Sequence, residues 1–172
     1  MRKELFQPTA EGEARLLILI DVFTTSKNSL EGRTKLAKLD FLLRYPQFLQ
    51  RALSVQAPHL TIAHQPGLED TIETRMMRYR YGPWDPAYFG ILGSLIGRGL
   101  VLPVPTITGT GYRTTAMGQK LATRIGSTEP WKEVVLSAKQ LKAHFDRSGS
   151  WLKDFIYRNF PEVVESSWGK TI

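Results

Sequence analysis

From Glu11 to Phe23 the chain reads Glu-Gly-Glu and then Ala14, Leu16, Leu17, Ile18, Leu19, Ile20, Val22 and Phe23. This is apolar around most of a helical circumference, which predicts a helix central in a core. Thr24 to Asn28 is a polar connection, after which Leu36, Leu39 and Leu43 recur at helical spacing through Thr34 to Arg44, with Asp40 and Arg44 four apart. A residue before proline is pushed out of helical geometry, so Tyr45-Pro46 predicts a break, and a short helix resumes through Phe48, Leu49, Ala52 and Leu53.

Ser54 to Gly67 holds two prolines and two histidines without periodicity and reads as a surface loop. From Leu68 two periods compete. Leu68, Ile72 and Met76 fall at helical spacing, whereas Met77, Tyr79 and Tyr81 alternate with Arg78 and Arg80 as a strand would; the expectation is a helix that gives way to extended chain near Tyr79. Gly82-Pro83-Trp84 reads as a turn, and Asp85-Pro86 as an N-cap and first helical residue, opening a helix from Pro86 to Arg98 that Gly99 ends. Leu100 to Pro103 is then a strand, Thr106 to Gly111 a Gly-rich tip and Tyr112 to Thr114 the return strand, with Thr115 capping a helix to about Ile125. Helix, strand, tip, strand and capped helix is the order of a winged helix-turn-helix. The predicted fold class is therefore mainly α, a winged-helix-like domain with a two-stranded wing and extra C-terminal helices. Residues 1–126 form the core with its wing and 127–172 the helical extension of a single domain, with helices over Thr128 to Asp146 and around Trp151 to Ile156 and an aperiodic tail from Phe160.

The 172 residues suffice for a core without metals or disulfides, and the absence of cysteine excludes thiolate zinc sites and thiol nucleophiles. Leu16 to Ile20 is the longest apolar stretch, far short of a membrane span, and Met1 to Phe6 has no signal-peptide pattern, so the expectation is a cytoplasmic protein with no membrane partner. Catalytic patterns are missing: His59, His64 and His144 lack ligand spacing, Gly109-Thr110-Gly111 lacks a third glycine, and no Gly-x-Ser-x-Gly elbow is present. The reading is of a protein that is not an enzyme, with no cofactor.

Most of the formal net charge of +7 lies between Thr71 and Thr128, where seven basic residues face two acids. Arg75, Arg78, Arg80, Arg113, Lys120 and Arg124, interleaved with tyrosines, are candidates for backbone contacts with DNA; a solvated cationic face with half-buried tyrosines is the plainer reading. The helix from Pro86 to Gly97 offers Tyr88, Phe89, Ile91, Leu92, Leu95 and Ile96, and no Arg, Lys, Asn or Gln before Arg98. It is ill suited to reading base edges. Gly90, Gly93 and Gly97 permit close approach of another backbone or serve internal packing. Aromatic density in the C-terminal third makes Trp151, Phe155, Phe160 and Trp168 candidates for a partner interface.

Four segments together resemble a known family: Glu13-Ala14-Arg15-Leu16-Leu17; Gly32 to Asp40 with Arg44-Tyr45-Pro46; Met77-Arg78-Tyr79-Arg80-Tyr81-Gly82-Pro83-Trp84-Asp85; and Leu152 to Tyr157 with Phe160-Pro161-Glu162. They look like the small middle component of bacterial three-component ABC-ATPase defence systems of the Lamassu type. The resemblance spans nearly the whole chain. It implies a non-catalytic adaptor that joins an SMC-like, Rad50-like ABC ATPase to an effector, commonly a nuclease, and helps hold that effector inactive; the basic face adds the expectation of nonspecific contact with double-stranded DNA. The alternative is a winged-helix DNA-binding transcription regulator.

Overall fold

The computed structural model describes residues 7–60, 77–79 and 82–165. Helix α1 (Ala10–Phe23) begins where the Thr9 hydroxyl accepts from the Gly12 N–H at 3.0 Å, and Leu16 to Ile20 are all buried, as a helix apolar on every side requires. The polar connection leads through a two-residue strand β1 (Leu30–Glu31) into α2 (Arg33–Arg44) and, across the Tyr45-Pro46 break, α3 (Pro46–Gln56). Proline at the first helical position costs α3 nothing, because the N–H it lacks has no intrahelical acceptor.

Strands β2 (Met77–Tyr79) and β3 (Gly82–Trp84) pair antiparallel, Met77 opposite Trp84 and Tyr79 opposite Gly82. The expected turn at Gly82-Pro83-Trp84 is thus a strand, since the alternation that begins at Met77 finds its partner there. Gly82 takes φ +95°, and a Cβ on it would lie 3.2 Å from the Lys38 amine. The expected loop over Ser54 to Gly67 is helical as far as Gln56, and 61–67 of it, like 68–76 of the next segment, lies outside the described residues.

Helix α4 (Tyr88–Gly97) starts two residues later than expected, after a turn at Pro86 and Ala87, and ends before Gly99, whose φ of +69° reverses the chain. Strands β4 (Val101–Thr106) and β5 (Gly109–Thr114) form a hairpin in which Val101 faces Thr114 and Thr106 faces Gly109. Strand β1 adds to the far side of β5, giving a three-stranded antiparallel sheet in the order β1-β5-β4. Thr115 caps α5 (Ala116–Gly126) by accepting from the Gly118 N–H, and α6 (Trp131–Phe145), α7 (Gly149–Asn159) and a short α8 (Pro161–Glu165) complete a mainly helical fold.

One contiguous core takes in Leu16 and Phe23 of α1, Leu36 and Leu39 of α2, Tyr88 and Leu95 of α4, and Leu141, Phe145, Leu152 and Ile156 of α6 and α7. The C-terminal helices are therefore part of the core and not an appendage to it: α6 packs on α1, and α7 on α2. Lys35 of α2 and Lys142 of α6 both bind Asp146, at 2.6 and 2.8 Å, tying those two helices together.

Candidate functional site

Beneath the start of α4 lies a chain of buried charges. Asp40, fully buried, accepts from Arg15 Nε at 2.8 Å, Arg44 Nε at 2.8 Å and the Tyr88 hydroxyl at 2.7 Å. Arg44 also donates to Asp85 Oδ2 at 2.5 Å, and the other oxygen of Asp85 accepts from the Ala87 N–H at 2.8 Å. Burial pushes the Asp40 carboxyl up, but the Arg15 and Arg44 charges and the hydrogen bonds from Arg15 and Tyr88 outweigh it and hold it below the usual carboxylate range. Burial and the neighbouring Asp40 charge raise the Tyr88 hydroxyl well above an ordinary phenol. Asp40 and Tyr88 are both fully buried. The network joins α1, α2 and the entry to α4 through one connected set of hydrogen bonds, in which Asp85 serves both Arg44 and the Ala87 N–H.

Of the six predicted DNA contacts, the side chains of three, Arg113, Lys120 and Arg124, fall among the described residues. Arg75, Arg80 and the side chain of Arg78 lie outside the described residues. Arg113, on β5, turns its guanidinium to the Thr25 carbonyl at 3.0 Å, bracing the hairpin against the α1–β1 connection. Lys120 and Arg124 stand exposed one turn apart on α5.

Of the predicted partner anchors, Phe160 and Phe155 face inward, which corrects the expectation for both. Phe160 is 1% exposed, with its ring centroid 5.1 Å from Phe48 and 6.4 Å from Phe41. The cause is α8, which turns back at Pro161, buries Val163 and lets Phe160 close an aromatic cluster between α2, α3 and α7. Phe155 packs edge-on to Phe145, and Trp151, half-buried, stacks on Phe155 at 5.2 Å. Trp168 lies outside the described residues.

The outward apolar surface is elsewhere. Phe89 of α4 is 58% exposed, Ile107 at the hairpin tip is fully exposed, and Leu102 and Met117 are half-exposed. Gly93 and Gly97, one turn apart on the same helix, are exposed and have open space where a Cβ would stand, whereas a Cβ on Gly90 would strike Pro8. Internal packing explains Gly90 and leaves Gly93 and Gly97 unexplained.

Sequence reading missed Lys38. It is 1% exposed, and its amine donates a single 3.3 Å hydrogen bond to the Pro83 carbonyl. Burial, aided by the Lys153 charge, lowers its pKa to about 7. In sequence it is one of two lysines in α2, with Lys35, and nothing local separates it from a surface residue.

Among the described residues no helix is long and apolar enough to cross a membrane, and no cluster of three His, Asp or Glu side chains could hold a metal. Comparison with known proteins found no matching family model, no matching curated protein and no matching solved structure.

Proposed function

We propose that the chain is a winged-helix adaptor, a non-catalytic subunit that joins an SMC-like ABC ATPase to an effector in a bacterial defence complex of the three-component type. The observation that carries the adaptor reading is the outward face of α4: Phe89, Gly93 and Gly97 stand where a regulator needs hydrogen-bonding side chains. The hairpin agrees with it. A wing that grips DNA presents cations, but the tip here is Ile107, flanked by Leu102, Pro103 and Pro105, and the one arginine of β5 is turned back to Thr25. The sheet order β1-β5-β4, with α1, α2 and α4 around it, supports the winged-helix frame, into which α3 and the β2–β3 hairpin are inserted between the second and third helices. The choice of an ATPase and an effector as partners rests on the family resemblance of the four sequence segments.

The test is co-expression with the ATPase and effector encoded nearby, followed by size-exclusion chromatography. The wild type should elute in a complex, and a Phe89→Asp, Ile107→Asp variant that keeps its circular dichroism spectrum should elute alone. Sequence-selective, salt-sensitive DNA binding by the isolated chain would instead establish the regulator.

A further inference from the structure

A cleft of about 290 Å³ is lined by Arg33, Thr34 and Lys38 from α2 and by Gly82, Pro83, Trp84 and Phe89 from β3 and the start of α4. Its two walls differ in chemistry. Thr34 and Lys38 are four apart and share a face of α2, with Arg33 beside them. Opposite, the Trp84 and Phe89 rings lie 6.0 Å apart at 56°, and the Arg33 guanidinium sits 4.9 Å above the Phe89 ring.

Among the described residues the cleft's cations meet no carboxylate. Every other buried cation described meets a carboxylate: Arg15 and Arg44 at Asp40, Lys35 at Asp146. Among the described residues Lys38 meets only the Pro83 carbonyl, and Arg33 only the Phe89 ring. A buried ammonium with one long hydrogen bond is costly, and an incoming acid group that accepts from it removes that cost. The described groups around the amine offer no internal substitute. Lys153 is cationic and leans on Asp154, Tyr157 is a phenol, strand β3 bears no titratable side chain, and Glu162 of α8 is held by Arg51. The first turn of α2 adds to the positive field, since its N-cap is Gly32 and no side chain covers it.

We propose that this cleft binds a small aromatic acid, its phosphate or carboxylate group received by Lys38 and Arg33 and its ring laid against Trp84 and Phe89. The volume of about 290 Å³ lies just below the range for ligand pockets, roughly 300–1,000 Å³, so the occupant is a single-ring molecule and not a dinucleotide.

Nuclear magnetic resonance of the wild-type chain, labelled with carbon-13 at the lysine Cε, tests this directly. Phenyl phosphate and benzoate are the probes, and inorganic phosphate and phenol are the half-molecules. The Lys38 resonance should move saturably with at least one of the two probes, its titration midpoint should rise when the probe is bound, and each half-molecule should bind about tenfold more weakly or worse. Whichever probe binds identifies the acid group. Lys38→Met should weaken binding by about tenfold or more, and Arg124→Gln, remote on α5, should leave it unchanged. Should Lys38→Met fail to fold, Lys38→Arg supplies the assignment and the wild-type titration stands alone. No movement of Lys38 with either probe in the folded protein overturns the proposal. Equal binding of inorganic phosphate and phenyl phosphate overturns the aromatic half of it.

Discussion

The Arg44 guanidinium meets the Asp85 carboxylate at 2.5 Å across 41 residues of sequence, joining the last turn of α2 to the residue that begins the approach to α4. Because Arg44 is also bonded to Asp40, and Asp40 to Arg15 and Tyr88, three helices are registered by one connected set of charges.

Replacing Asp85 by alanine should therefore cost about 3 kcal/mol in urea denaturation, more than the roughly 1 kcal/mol of a lost helix cap, since it also leaves a buried guanidinium half-paired. Asp85→Asn, which keeps the acceptor for the Ala87 N–H, should lose less. Asp40→Asn should cost about 3–5 kcal/mol, because Arg15 and Arg44 both lose the Asp40 charge and Arg44 is left with Asp85. The Asp40 pKa is lowered on folding, so its contribution is complete at neutral pH and falls away as pH drops through the depressed folded value. A cost near 1 kcal/mol for Asp85→Ala would show that the network is not coupled.

Lys38 acts in the opposite direction. Its folded pKa is near 7, below that of an unfolded lysine at 10.5, so between these values the unfolded state binds more protons and stability rises with pH. The limiting slope for one group is about 1.4 kcal/mol per pH unit. Lys38→Met should flatten this rise and be at least as stable as wild type at pH 7. The pH dependence of the urea midpoint for both proteins measures the difference, and parallel curves would place the charge in solvent.

At Gly118 an added Cβ would fall 1.9 Å from the Leu100 carbonyl oxygen, a backbone atom that cannot swing aside. Gly118→Ala gains about 1 kcal/mol of helix propensity but must push α5 off the start of β4, so a net loss of about 2 kcal/mol or more is expected in thermal or chemical unfolding. A stabilised variant would mean that the α5–β4 approach is looser than described.

Phe160 and Ile107 should separate stability from association. Phe160→Ala empties the aromatic cluster and should cost about 3–5 kcal/mol, whereas Ile107→Ala, at the exposed tip, should stay within about 0.5 kcal/mol of wild type. Calorimetry compares the two. A Phe160→Ala protein of unchanged stability would return that ring to the surface.

Local signals carried most of the helical frame. The all-round apolar run of α1, the Tyr45-Pro46 break, Gly99 at the end of α4 and the Thr115 cap act within a few residues, where backbone sterics and hydrogen-bonding reach decide the outcome, and each is legible from its neighbours alone. The hairpin β4–β5 was legible for the same reason. What the sequence left open depends on contacts between distant segments. Asp40 and Arg44 stood one turn apart in the sequence, but their burial follows only from Arg15, Asp85 and Tyr88 arriving from three other places in the chain. Phe160 resembled an exposed anchor until α8 folded back over it, and Lys38 resembled any helical lysine until β3 and α7 closed over its stem. Whether a residue is buried is a property of everything packed around it; a residue's own type and spacing give only the face it occupies, and tertiary packing decides what that face meets.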